Sequence, residues 1–207
     1  VSTAKEQYFE EVRKHQNLHV ELAEQVGQNL WQSIVTLLQS ELPEWDVGVA
    51  SEGKSQNYFS GIFRCINEST PIHCDWSPYD SRTEDWMVKH ITRQGVFNLY
   101  LAPFHGGRTE IYDTQWTEEA LQFRDPDSYG YWPELVKGRQ KAVIRPEVGD
   151  LYFFNTRNMH QVFPVEPTPG APTDDGSGGR RQRLTLSSFY GLIPGHGQQR
   201  PKLILWS

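Results

Sequence analysis

From Trp45 onward the chain is cut into short pieces. Segments rich in β-branched and aromatic residues alternate with turns that carry glycine or proline. Many short strands at such spacing predict a sandwich or barrel. The pattern predicts strands near 58–66, 71–75, 95–101, 108–113, 141–145, 150–154, 158–163, 183–191 and 202–206. A helical break is expected over Thr117–Phe123, with Thr117 as cap and Glu118 and Glu119 in the first turn. The stretch Pro164–Gln182 is rich in Pro, Gly, Asp and Thr and has no periodicity. It reads as a long mobile loop, either a lid over a site or a surface insertion.

The first forty residues have a different rhythm. Leu22, Val26, Leu30 and Ile34 recur every four residues, Leu37 and Leu38 extend the stripe, and Pro43 ends it. This predicts helix packed on the back of a sheet. A homo-oligomer contact is the other use of such a stripe. The expected organisation is one domain over 1–207. Residues 1–43 form a helical support, 45–207 a β core, and 164–182 the long loop.

The chain has 207 residues and 2 cysteines, Cys65 and Cys74, so no disulfide framework is expected. Reduced thiols fit a cytoplasmic setting. No apolar run approaches the roughly 20 residues of a membrane span, and the N-terminal residues lack a secretory pattern. A net charge of −6 argues against a nucleic-acid partner.

Within the β region lies the run Pro71-Ile72-His73-Cys74-Asp75. In a strand, residues two apart share a face, so His73 and Asp75 converge while Cys74 points away. Downstream, the turn Pro146…Gly149-Asp150 feeds the apolar segment Leu151–Phe154, and His160 follows. Two histidines and one carboxylate have the makeup of a facial triad, a metal set that leaves coordination positions open and suits non-heme Fe(II). No thiolate set is present for a structural zinc. Met159 should point away from the metal and pack. Past the loop, Arg183 opens an alternating strand and offers a fork for a carboxylate. His15, His19, His90, His105 and His196 lack such a context and read as surface or packing residues.

On these residues the chain resembles the Fe(II)/2-oxoglutarate-dependent dioxygenases. The likeness is greatest to the bacterial branch acting on freestanding small molecules, which includes N-acyl amino acid hydroxylases and carrier-independent alkaloid halogenases. It runs from about Tyr58 to Ser207. It rests on Phe63-Arg64, the His-x-Asp pair, Gly106-Gly107…Tyr112, Gly149-Asp150…Phe154-Asn155, His160, Arg183…Phe189 and Leu205-Trp206-Ser207.

The resemblance implies a mainly β fold with N-terminal helices, a cupin-like double-stranded β-helix or jelly roll. It implies Fe(II) held by His73, Asp75 and His160, with 2-oxoglutarate and O2 as co-substrates and succinate and CO2 as co-products. Arg183 would pair with the distal carboxylate of 2-oxoglutarate, and Thr185 would add a hydroxyl. Two departures matter. The halogenating relatives replace the ligand carboxylate by a small residue, whereas Asp75 is present here, so hydroxylation is expected. The gap between His160 and Arg183 is unusually long, which makes Arg180 and Arg181 rivals to Arg183.

The substrate is expected to be a small molecule, an amino-acid derivative such as an N-acyl amino acid. Asn98 and Tyr100 share a strand face and are expected to line the co-substrate site, with Phe97, Leu99 and Leu101 opposite as core. Arg64, Arg82 and Trp76 are the candidates for substrate contact. The readings that stay open are a dioxygenase acting on peptide or nucleobase, and a non-catalytic metal-binding jelly roll.

Overall fold

The computed structural model describes residues 3–53, 56–170 and 182–207. It is mainly β with helices at the N-terminus. Three helices occupy the start: α1 (Thr3–His15), α2 (Leu18–Val26) and α3 (Leu30–Glu41). The predicted continuous stripe is therefore broken. Gly27, at φ 77°, closes α2 with its N–H bonded to Ala23 O, and the Asn29 side chain caps α3 at Gln32 N, 2.9 Å away. That restart resets the helical phase. Val26 is 59% exposed, and α2 buries none of its side chains. The face that packs is Trp31, Ile34 and Val35 on α3.

The chain divides into two compact units: Val1–Ile62 with Ser77–Gln94 and Ser188–Ser207, and Phe63–Trp76 with Gly95–Ser187. In the first unit, β1 (Asp46–Val49) runs parallel to β11 (Lys202–Trp206), with Val47 opposite Leu203. β11 in turn pairs antiparallel with residues 189–193 of β10 (Leu184–Ile193). Helix α1 docks through Tyr8 and Phe9, whose rings meet Tyr58 and Trp86. Lys5 pairs with Glu52, which also accepts from the Tyr58 hydroxyl and Met87 N–H. A short helix, α4 (Ser77–Asp80), and a 3-10 turn over Met87–His90 complete this unit.

The second unit carries the other strands. β3 (Arg93–Tyr100) contributes residues 95–100, which pair antiparallel with β7 (Leu151–Asn155). Phe97 of that segment is fully buried, on the core face expected of it. β2 (Ile62–Cys65) pairs with β10. β5 (Thr109–Gln115) lies between β6 (Lys141–Ile144) and β8 (Asn158–Val162), with Ile111 opposite His160. Buried Glu110 on β5 is held by Arg108, Tyr112 and Lys141. Burial pushes its carboxyl up, but these three partners outweigh that and the net shift is down.

Most predicted strands recur within a residue or two. The stretch 58–66 shortens to β2, and 71–75 is not a strand. It is extended chain fastened by single bridges, Ile72 to Tyr131 and His73 to His160. The Thr117–Phe123 break is a 3-10 turn over Glu118–Phe123, although Thr117 makes no side-chain cap bond. The expected loop Pro164–Gln182 begins with order: β9 (Val165–Glu166) pairs with β4 (His105–Gly106), and Val165 is buried. Residues 171–181, including Arg180 and Arg181 and the expected lid, lie outside the described residues. No helix among the described residues is long and apolar enough to cross a membrane.

Candidate metal centre

Backbone pairing brings the donors together. His73 N–H bonds to His160 O at 3.0 Å and His160 N–H bonds back to His73 O at 2.8 Å. This reciprocal pair sets the two imidazoles side by side, ring centroids 4.2 Å apart. Asp75 is held by Thr156, which is fully buried. Asp75 N–H donates to Thr156 O at 2.9 Å, and Thr156 Oγ1 donates to Asp75 O at 3.1 Å. His73, Asp75 and His160 thus offer ligand atoms that all lie within 4.8 Å of one another. His160 Nε2 is 3.5 Å from Asp75 Oδ2, and the Asp75 side chain stays 35% exposed, so the group remains reachable from solvent.

The ring orientations fit a metal. His73 Nδ1 contacts Pro71 O, and His160 Nδ1 contacts Asn158 O, each at 2.9 Å. A carbonyl only accepts, so both Nδ1 atoms carry the proton and both Nε2 atoms present a lone pair. Phe154 packs edge-on against His160 at 5.2 Å. Burial first, and the neighbouring His160 second, lower the His73 pKa to about 4, which keeps this imidazole neutral at physiological pH. Burial pushes the Asp75 carboxyl up, but His160, His73 and Arg64 outweigh it, and the net shift is down. A neutral His73 imidazole and an ionised Asp75 carboxylate suit a divalent, oxygen- and nitrogen-bound ion.

A polar strip lies on β10 and β3 of the same unit. Arg183, immediately before β10, is only 6% exposed. Its Nη1 lies 3.5 Å from Gly107 O, while its buried Nε has no partner among the described residues. Burial lowers its pKa, opposed in part by the phenol of Tyr100. Thr185 is buried and its hydroxyl bonds that of Ser187 at 3.0 Å, while Ser187 Oγ donates to Asn98 Oδ1 at 2.6 Å. Ser187 thus links Thr185 to Asn98, and Arg183 stands near enough to Tyr100 for their charges to interact. Arg64, half-buried on β2, stands close enough for its charge to act on Asp75. Trp76 lies under the Arg157 guanidinium, 4.9 Å from the ring centroid. Arg82 belongs to the first unit, where it covers the Tyr79 ring at 4.4 Å. Met159 is fully buried and packs.

The sequence reading missed Thr156, Ser187, Phe154 and Tyr129. Tyr129 meets the His73 ring edge-on at 5.4 Å. Burial and the Asp75 charge both raise its pKa. Its only signal in the sequence was the run Asp125-Pro-Asp-Ser-Tyr-Gly, a turn of Asp, Ser and Gly that holds an aromatic residue.

The fold recurs among known proteins. No family model matches the chain. Among solved structures it is similar to an N-substituted L-amino acid dioxygenase from Burkholderia ambifaria AMMD. That likeness has TM-score 0.56 and 16% identity, covering 94% of this chain and 71% of that one. The same dioxygenase in complex with alpha-KG gives TM-score 0.54 and 15% identity, over 94% and 72% of the two chains. At such identity the likeness is one of fold. The chain belongs to the family of the Leucinostatins biosynthesis cluster protein S of Purpureocillium lilacinum, 34% identical over 209 residues, 99% of this chain and 80% of that protein.

Proposed function

We propose that this protein is a 2-oxoglutarate-dependent hydroxylase of an unactivated C–H bond in a free amino-acid derivative, with N-acyl amino acids as the leading class. The observation that carries the reading is the convergence of His73, Asp75 and His160 with both imidazoles turned to offer Nε2. These three would hold Fe(II). When bound, the iron with 2-oxoglutarate and O2 supplies the oxidising power, and succinate and CO2 leave as co-products.

The rest of the task falls to the chain. Arg183 would clamp the distal carboxylate of 2-oxoglutarate. Its buried guanidinium lacks a carboxylate partner among the described residues, so a bound one would satisfy both its charge and its orphan Nε. Thr185, Asn98 and Tyr100 would line that co-substrate and keep water from it. Arg64 would meet a substrate carboxylate beside the metal, with Trp76 as a further substrate contact. Asp75 fills the position that halogenating relatives leave vacant for halide, which favours hydroxylation. The likeness to an N-substituted L-amino acid dioxygenase supports the substrate class and a double-stranded β-helix for the β core. The relative from a leucinostatin biosynthesis cluster supports a biosynthetic small-molecule setting.

Anaerobic addition of Fe(II) and 2-oxoglutarate should give a weak visible charge-transfer band. Admitting O2 with N-acylated aliphatic or aromatic amino acids should give succinate above the uncoupled background, and a product heavier by one oxygen atom. Absence of the band would leave a non-catalytic metal-binding module. Turnover with peptide or nucleobase alone would keep the metal site and replace the substrate.

A further inference from the structure

Tyr129 is 54% exposed, yet its ring touches that of His73, with centroids 5.4 Å apart and planes at 79°. Large aromatic groups left open to water on a stiff mount are common contact elements, because little side-chain freedom is lost when they bind. The mount here is stiff. Asp125 N–H bonds Gly130 O at 3.1 Å and closes the turn. The Asp125 carboxylate accepts from Asp127 N–H and from Ser128 Oγ, each at 3.0 Å, and Ser128 Oγ accepts from Gly130 N–H at 3.0 Å. Tyr131 N–H then bonds Ile72 O at 2.8 Å.

The turn also lies flush on the metal-bearing segment. A Cβ on Gly130 would come within 2.4 Å of Pro71 Cβ, so only glycine allows this approach. Pro71 is the residue whose carbonyl orients His73. None of the bonds that build the turn uses the Tyr129 side chain. The fold therefore holds an open aromatic ring beside a metal donor without needing that ring to close the turn.

We propose that Tyr129 contacts the substrate and determines specificity, packing its open ring against the apolar side chain of the amino-acid derivative held beside the metal. The inference rests on the function proposed above and deepens it. An aromatic face attracts aliphatic, aromatic or cationic groups. The site therefore selects leucine- and phenylalanine-type derivatives over glycine-type ones, with a lysine-type derivative as the probe of a cationic preference.

The test uses the full chain with Fe(II) and 2-oxoglutarate under anaerobic conditions. N-acetyl-L-leucine, N-acetyl-L-phenylalanine, N-acetylglycine and N-acetyl-L-lysine serve as probes. Binding is read from the perturbation of the charge-transfer band, and KM and kcat from succinate formation. The intact protein should favour the leucine probe over the glycine probe by about tenfold or more. Tyr129→Ala should weaken the leucine and phenylalanine probes by about tenfold, chiefly in KM, and leave the glycine probe within about twofold. Tyr129→Phe, which keeps the ring, should stay within about threefold of the parent. A Tyr129→Ala protein that binds the leucine probe as tightly as the parent would overturn the inference alone. So would one that loses the leucine and glycine probes equally. If the parent responds to none of the four probes, the proposed substrate class fails and this inference fails with it.

Discussion

The two stretches that supply the candidate metal donors are built in opposite ways. His160 sits within β8, a regular strand paired with β5, and its neighbour Met159 is fully buried. His73 and Asp75 sit on extended chain outside any ladder, held by the bridge to His160, the bridge from Ile72 to Tyr131 and the Thr156 clamp. One donor is therefore positioned by a sheet, the other two by a handful of single bonds. Damage to β8 should appear first as lost stability. Damage around residues 71–76 should appear first as lost metal affinity.

The largest effect should come from Asp75→Ala. It removes a donor from the loosely built side, so hydroxylation should fall to background while circular dichroism of the protein is preserved. Unfolding of this variant would show the 71–76 segment to be structural after all. Next is Arg183→Met. Losing one side of a buried charge pair costs about 3–5 kcal/mol, so 2-oxoglutarate affinity should fall by roughly a hundredfold or more. The metal-free variant should melt no lower than the parent, because the parent buries a guanidinium with an orphan Nε. Unchanged 2-oxoglutarate dependence would refute the role of Arg183.

A pair of substitutions sharpens the contrast further. Met159→Ala in β8 should cost about 2–5 kcal/mol of stability by denaturant titration. Thr156→Val keeps the volume but drops the hydroxyl that fastens Asp75. It should weaken metal binding by about 10–100-fold by calorimetry, with only about 1 kcal/mol lost in stability. Equal stability losses in the two variants would erase the distinction.

A further effect is in pH. His73 has a folded pKa of about 4 against 6.5 for the free side chain. Below 6.5 the unfolded chain takes up a proton that the folded protein refuses. Its contribution to metal-free stability is thus complete above pH 6.5 and is lost progressively as pH falls toward 4. Asp75, also shifted down, adds a loss in the same direction at lower pH. Denaturation midpoints between pH 7 and 4.5 should show the slope, and His73→Asn should flatten it.

Much of this was legible in the sequence. Short β-branched and aromatic runs between Gly and Pro turns located β3, β7, β8, β10 and β11 within a residue or two. The donor set was legible because His-x-Asp and the Gly-Asp turn are local patterns. What escaped depends on distant partners. The 71–75 stretch has strand-like residues but finds only single bridges to Tyr131 and His160, which no local pattern encodes. The helical phase was misread because Gly27 and Asn29 restart it between Val26 and Leu30. Thr156 and Tyr129 matter through what they touch, and their own neighbours in sequence say nothing of Asp75 or His73.

The parallel pairing of β1 with β11 has a consequence for biosynthesis. β1 emerges from the ribosome early, yet its partner is made about 150 residues later. Until then the N–H groups of Asp46 and Ala50, which bond Pro201 O and Leu205 O in the finished fold, must wait, exposed to water and to wrong partners. The metal-bearing unit is complete once Ser187 is made, so it can take shape while the helices and β1 are still without their closing strand.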